Sequence, residues 1–370
     1  MTLGADPDGS ALPVSVITGF LGSGKTTLIN ALLSHPDMGE TAVLINEFGE
    51  VGIDHLLVRK VDENVVLLNS GCLCCSIRGD LITALRDIFL KRVRGDIPEF
   101  ERAVIETTGL ADPAPIIHTL MTDPLIGARY RLDGVIATVD AVHGLGQLDE
   151  HAEAVKQAAM ADRIVLTKAD IATAEQVEEL RARLRRLNPA AGILTAAQGD
   201  IAPDKLFNTG LYDPKTKTAD VEGWLKAEAY ADETGHHHHH HGDDGHHGHG
   251  HGHEHGHGHE HGHDHHHDVN RHDDRIRAFC LTLDTPLVWD RFAMWMEILQ
   301  STRGESLLRV KGILNVEGQS QPVAIHGVQH VFHPPAVLDA WPSDDRKSRI
   351  VFITKDLGRS VIEDIFHAMS

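Results

Sequence analysis

The sequence predicts an α/β fold: a doubly wound, mostly parallel sheet domain, then a disordered linker rich in histidine, then a small α+β domain. Three observations carry this. Between Pro13 and Ala197 short β-branched runs bounded by glycine alternate with helical stretches, the pattern of parallel strands buried on both faces. A glycine-rich loop joins the first such run to the first helix, as in nucleotide-binding crossovers. The regular pattern then stops near residue 213 and resumes at Arg275 after a tract of His, Gly and Asp.

The elements follow from this patterning in order. VSVITG is a strand and 25–34 a helix; TAVLIN and VVLLN are strands and 81–93 a helix. RAVIETTG, DGVIATVD and RIVLTKAD are strands, the amphipathic stretch 174–187 is a helix, and GILTAA closes the unit. Beyond Arg275 the order is strand IRAFCLTLD, helix 288–301, strands LLRVKGILNV, QPVAIHGVQHVFH and RIVFITKD, and helix 360–369. The chain thus divides into a flexible N-terminus, 1–12, a nucleotide domain, 13–212, a linker, 213–274, and a C-terminal domain, 275–370.

Composition limits the function. The 370 residues hold 34 Lys and Arg against 54 Asp and Glu, a formal charge of −20 with histidine neutral. A duplex or phosphate-backbone reader needs a basic face to displace counterions, so nucleic acid is not an expected partner. No apolar stretch reaches the roughly 18 to 20 residues of a membrane span, and the first residues lack the basic and apolar regions of a secretion signal. A cytoplasmic location without membrane attachment is expected, and a homodimer is compatible with the pattern.

Histidine and cysteine are unevenly spread. Of 29 histidines, 20 fall in the 37 residues that open at His236 and close at His272. Glycine removes helix or strand preference there, so the segment is expected to lack a core and to offer many weak imidazole sites for Zn²⁺, Ni²⁺, Co²⁺ or Cu²⁺; a solvated spacer is the alternative. Three of the four cysteines, Cys72, Cys74 and Cys75, lie within four residues, and Cys280 stands apart. Clustered thiols in a cytosolic chain point to metal or redox chemistry, not to a disulfide scaffold.

Five motifs carry the chemistry. Gly19, Gly22, Ser23, Gly24, Lys25 and Thr26, with Thr27 beside them, form G-x-x-x-x-G-K-[ST] between strand and helix. Its backbone N–H groups wrap a β-phosphate, Lys25 reaches β- and γ-oxygens, and Thr26 offers a hydroxyl to Mg²⁺. Thr167, Lys168 and Asp170 in T-K-A-D resemble the guanine loop, where a carboxylate accepts from N1–H and N2–H₂ of guanine, a donor pair adenine lacks. GTP is therefore preferred over ATP; the competing reading makes K-A-D a cap for helix 174–187. Glu106 and Gly109 in E-T-T-G occupy the place of the D-x-x-G switch, with Glu106 at the Mg²⁺ shell and Gly109 sensing the γ-phosphate. The segment 46–50, with Glu47, is a candidate first switch. No glutamine or arginine finger stands out, so slow intrinsic hydrolysis is expected.

The fifth motif, G-C-L-C-C, offers thiolates from Cys72, Cys74 and Cys75 to one soft or borderline cation and leaves a position open, with Glu47, a histidine or water completing the set. A Cys72–Cys75 redox pair is the alternative.

In this order, GFLGSGKTTLIN, INEFGEVGID, NSGCLCCSIRGDL, IETTGLADPAPI and TKAD resemble the CobW-type metallochaperone GTPases, relatives of the nickel-insertion and cobalamin-enzyme GTPases. The resemblance extends to a C-terminal α+β domain and a histidine-rich linker before it. It implies GTP- and Mg²⁺-dependent transfer of Zn²⁺, or in some branches Co²⁺, from the cysteine motif to a client metalloprotein. Thr167 departs from the family's asparagine. A cobalt chaperone, a metal store regulated by nucleotide, and a thiol redox sensor remain as other readings.

Overall fold

The computed structural model describes residues 11–38, 40–45, 66–69, 77–207, 275–341 and 344–368. In the first domain these form β1 (Leu12–Gly19), α1 (Lys25–Leu33), β2 (Thr41–Ile45), β3 (Val66–Asn69), α2 (Ile77–Arg94), β4 (Arg102–Glu106), α3 (Ala114–Thr122), α4 (Pro124–Gly127) and β5 (Tyr130–Asp140). They continue with α5 (Gly144–Glu150), α6 (Ala152–Met160), β6 (Arg163–Thr167), α7 (Ala174–Leu187) and β7 (Gly192–Thr195).

Among the described residues the strands order as β3-β2-β4-β1-β5-β6-β7, and every pairing is parallel. Alternate side chains enter two separate cores. Val14 and Val16, Ala42 and Leu44, Ala103 and Ile105 pack on the side of α2, α3 and α6. Ile17, Val43, Ile45, Val104, Ile136 and Val165 pack with Leu28, Ile29 and Leu32 of α1. Burial on both faces is why these strands read as continuous apolar runs. The carboxyl ends of β1, β4, β5 and β6 share one sheet edge and place Gly19, Glu106, Asp140 and Thr167 along it, the edge at which open α/β sheets bind ligands.

The second domain comprises β8 (Ile276–Leu283), α8 (Trp289–Arg303), β9 (Leu307–Leu314), β10 (Val323–Val328), β11 (Val331–Phe332), β12 (Ala336–Val337), β13 (Ser348–Lys355) and α9 (Arg359–His367). Its antiparallel sheet runs β11-β10-β9-β13-β8, with β12 beside β10. The single strand expected over 321–333 is corrected: Val328 pairs with Val331 across a two-residue turn, and Gln329 holds a φ of 53°. The positive φ closes the hairpin at a Gln-His pair that carries no ordinary turn signal.

One face of this sheet, with Phe279, Val310, Leu314, Ile350 and Phe352, packs on Trp295 and Leu299 of α8 and Ile362 of α9. The other face rests on the nucleotide domain, where Cys280, Leu308, Ile313, Val328, Val351 and Ile353 join the core that contains α3 and α6. At the centre of that interface, Oδ1 of Asp162 meets Nη2 of Arg309 and Nζ of Lys311, each at 2.5 Å, and its Oδ2 accepts from the Val135 N–H at 2.9 Å. Burial alone would raise the Asp162 carboxyl, but Arg309 and Lys311 outweigh it and hold the group well below the carboxylate range. Burial lowers Lys311 to about 8 in spite of that partner. No helix among the described residues is long and apolar enough to cross a membrane.

Candidate functional site

The phosphate loop lies between β1 and α1. Its chain closes through a Ser23 N–H bond to the Phe20 carbonyl (3.1 Å) and enters α1 through Gly24 at φ 89°. No side chain caps α1, and its first turn holds no acidic residue, so the N–H groups at its start are not taken up by a side chain of the helix itself. Lys25 is buried and its Nζ donates to the carbonyls of Gly19 (2.8 Å) and Phe20 (3.1 Å). The Ser23 and Thr138 hydroxyls lie 2.6 Å apart, joining the loop to β5.

Thr26 and Glu106 meet although they are 80 residues apart: the threonine hydroxyl donates to Oε1 of Glu106 at 3.0 Å. A hydroxyl beside a carboxylate is the hard-oxygen set that suits a small divalent cation such as Mg²⁺. Past Glu106, the loop 107–113 runs along the phosphate loop. A Cβ placed on Gly109 would lie 2.8 Å from both N and Cα of Leu21, so the backbone approach there admits only glycine.

Thr167, at the end of β6, donates its hydroxyl to the Ser23 carbonyl at 2.7 Å. Lys168 adopts a φ of 56° and its Nζ reaches Oδ2 of Asp140 at 2.6 Å. Asp140 is buried and also accepts from the N–H groups of Val142 (2.8 Å) and His143 (3.2 Å). Burial would raise its carboxyl; the Lys168 bond and the two N–H groups outweigh that and hold it low. The Lys168 stem is thereby fixed in direction. Asp170 is exposed and lines a cleft of about 620 Å³ with Gly24, Thr27, Asn30, Thr167 and Lys168. It does not cap α7: Thr173 does, accepting from the Gln176 N–H while the Gln176 side chain accepts from the Thr173 N–H.

The cleft also contains Gln198, at φ 51°, and Gly199, at φ 83°. Neither was anticipated. The signal that could have found them is a Gln-Gly turn directly after the last parallel strand, on the ligand-binding edge. Asp140 was missed too, because its role as anchor of Lys168 depends on the β5–β6 pairing.

The structure brings together Gly19, Gly22, Ser23, Gly24, Lys25, Thr26, Thr27, Glu106, Gly109, Thr167, Lys168 and Asp170 at one sheet edge. Glu47 and the 46–50 segment, Cys72, Cys74, Cys75 and the His236 to His272 tract lie outside the described residues. Among the described residues no group of three or more His, Cys, Asp or Glu is arranged to hold a metal ion. Cys280 is a buried free thiol in β8 whose titration burial pushes up.

Two family descriptions match the chain: "CobW/HypB/UreG, nucleotide-binding domain" over residues 13–195 and "Cobalamin synthesis protein cobW C-terminal domain" over 276–370. The zinc chaperone YjiA of Escherichia coli (strain K12) is 33% identical over 356 residues, which span 96% of this chain and 98% of YjiA. The zinc-regulated GTPase metalloprotein activator 1 of Saccharomyces cerevisiae is 28% identical over 391 residues, covering 96% of this chain and 82% of that protein. The crystal structure of Zn(II)-bound YjiA GTPase from E. coli superposes with a TM-score of 0.65 at 30% identity, over 97% of this chain and 99% of that one.

Proposed function

The chain belongs to the CobW/HypB/UreG family of GTPases, and from that premise we propose that it holds zinc at Cys72, Cys74 and Cys75, with Glu47 completing the set, and passes it to a client metalloprotein in a GTP-dependent cycle. The observation that carries the nucleotide half is the junction of two loops: the phosphate loop and T-K-A-D are tied by the Thr167 to Ser23 bond and border one cleft that Asp170 lines. In this reading Asp170 accepts from guanine and Lys168, steered by Asp140, lays its stem along the base. The N–H groups of the loop and the start of α1 bind the phosphates, and Lys25 exchanges its carbonyl partners for phosphate oxygens.

Thr26 and Glu106 would hold Mg²⁺, which when bound neutralises charge on the phosphates. Glu106 positions the Thr26 hydroxyl, and Gly109 keeps the 107–113 loop against the phosphate loop, where a γ-phosphate alters it. The zinc half rests on the C-x-C-C spacing and on the likeness to YjiA. The domain division at 213 and 275 and the role of the histidine tract as a collector of metal belong to the same reading.

The test has two arms. Lys25→Ala abolishes GTP hydrolysis and Asp170→Asn lowers the preference for guanine; equal turnover of ATP and GTP by the native chain rejects the nucleotide assignment. Competition with a chromophoric chelator, in protein lacking 235–272, gives different zinc affinities with GTP and with GDP, and Cys74→Ser with Cys75→Ser removes the site. A coupling of roughly 1–3 kcal/mol corresponds to a five- to 150-fold change, and zinc alters nucleotide affinity by the same factor. Identical zinc affinities in the two states favour a store over a chaperone.

A further inference from the structure

Gln157 is the buried polar residue of α6 that the nucleotide chemistry described above does not use. It is 1% exposed, in the middle of a helix whose other buried positions are Ala154, Val155, Ala158, Ala159 and Met160. Its Nε2 donates to two carbonyls of one loop, Gly109 at 3.1 Å and Ala111 at 3.0 Å. The amide orientation is fixed by chemistry: turned over, its oxygen would face two carbonyl oxygens and no donor. Its Oε1 has no hydrogen-bond partner among the described residues. A buried acceptor left unpaired costs stability, so an apolar side chain of the same length would serve packing better. What glutamine supplies here is the pair of N–H donors aimed at the loop.

The loop is thereby gripped from two sides. Gly109 lies with its Cα against the backbone of Leu21 in the phosphate loop, and its carbonyl is held by Gln157. One residue away in sequence, Lys156 reaches Oδ2 of Asp112 at 2.5 Å, while Oδ1 of Asp112 accepts from the Ala114 N–H at the start of α3. At the beginning of α6, His151 stacks on Phe20 of the phosphate loop with ring centroids 4.5 Å apart. Two residues past its end, Asp162 is locked by Arg309 and Lys311 of the second domain. The helix is a mount fixed at both ends, the arrangement that holds a positioning group to a narrow geometry.

We propose that Gln157 is a positioning residue for GTP hydrolysis, setting the peptide of Gly109 through its two carbonyl bonds so that the 107–113 loop responds to the γ-phosphate. It does not orient the attacking water, because its donors are committed to the loop. Its removal frees the loop, so the effect falls on the triphosphate state and the transition state, while contacts to base and to α- and β-phosphate remain. This inference rests on the assignment of GTP to the phosphate loop.

The test uses the full chain with Gln157→Met, which keeps length and loses both donors, and Gln157→Asn, which keeps the amide but retracts it by one methylene and guards against a folding failure in the first. Steady-state hydrolysis gives kcat and KM, and fluorescence titration gives affinities for GDP and for a non-hydrolysable GTP analogue with Mg²⁺. GDP affinity stays within about twofold, whereas kcat and analogue affinity each fall by about tenfold, the equivalent of about 1.4 kcal/mol. Unchanged kcat and analogue affinity in a variant that melts like the wild type overturn the proposal. So does an equal loss of GDP and analogue affinity, which marks a merely structural role. Failure of the underlying nucleotide assignment shows instead in the wild type, as an absence of saturable GTP analogue binding, and no step depends on zinc transfer.

Discussion

The hydroxyl of Thr167 donates to the carbonyl of Ser23 at 2.7 Å, so the T-K-A-D loop proposed to read guanine is tied to the phosphate loop by its first residue. A hydroxyl has one proton to give, and the longer approach to the Val139 carbonyl, 3.3 Å, leaves the Ser23 bond as the better of the two. Thr167→Val keeps the shape and removes the donor. With a net value of about 0.5–1.5 kcal/mol for such a bond, GTP and GDP affinities fall together by about two- to tenfold. Isothermal titration with both nucleotides reads this; a loss confined to GTP would place the effect at the γ-phosphate and refute the link.

Asp162 is fully buried between Arg309 and Lys311 of the second domain. Asp162→Asn removes the charge and leaves two buried cations facing each other, so it destabilises the chain by about 3–5 kcal/mol. Replacing the three together by Leu, Met and Met removes the ion triad as a unit and restores most of that loss. Denaturant unfolding of the single and triple variants distinguishes the outcomes; a triple variant no better than Asp162→Asn would deny that the lost countercharge is the cause.

The parallel strands and the loops at their carboxyl ends were legible because burial on both faces writes an apolar run, and because G-F-L-G-S-G-K-T needs its glycines at fixed places. The helices α3, α4, α5 and α6 were not. Pro113 and Pro115 bracket the start of α3, which reads as loop until the N-terminal preference of proline is weighed. The helix α6 buries mostly alanine, which gives no strong apolar period. Gln157 and Asp140 escaped for a different reason: each acts through a partner 28 to 48 residues away, and only the pairing of strands brings those partners together. Asp162 could not be read as an interface residue at all, since its cations lie on a strand almost 150 residues later.

Gly199 tests the proposed base cleft from the side the sequence did not reveal. Its φ is 83°, and a Cβ there would fall 2.8 Å from the Thr27 carbonyl in α1. Gly199→Ala therefore strains the turn at about 1–2 kcal/mol and pushes it away from α1. With guanine placed in this cleft as proposed, guanine nucleotide affinity falls by about fivefold or more, by the same conversion, with hydrolysis at saturating GTP little changed. Fluorescent GDP titration alongside kcat separates these; a drop in kcat with affinity intact would contradict the placement.

The interface should also lose stability on mild acidification, through histidine. His326 is buried on β10 and faces Lys311, Arg309 and His333, with Asp162 nearby. Burial first, then the charges of Lys311 and Arg309, push its titration well below the ordinary value. His118 on α3, whose Nε2 lies 3.0 Å from the Val328 carbonyl, is lowered mainly by burial and also by His330 and Lys156, against the raising effect of that carbonyl and of Asp112. In both cases the folded chain binds fewer protons than the unfolded chain. Their contribution is thus complete above the unfolded histidine value of about 6.5 and is lost as pH falls from there toward the folded values. The Asp162 carboxyl, also lowered, keeps its contribution throughout this range and surrenders it only below an unfolded value of about 3.9. Urea unfolding between pH 7.5 and 5 should show stability falling below about pH 6.5, with a slope reduced in His326→Gln by up to about 1.4 kcal/mol per pH unit. Parallel stability curves for the variant and the wild type across that range would mean that His326 takes up its proton as readily in the folded chain as in the unfolded one.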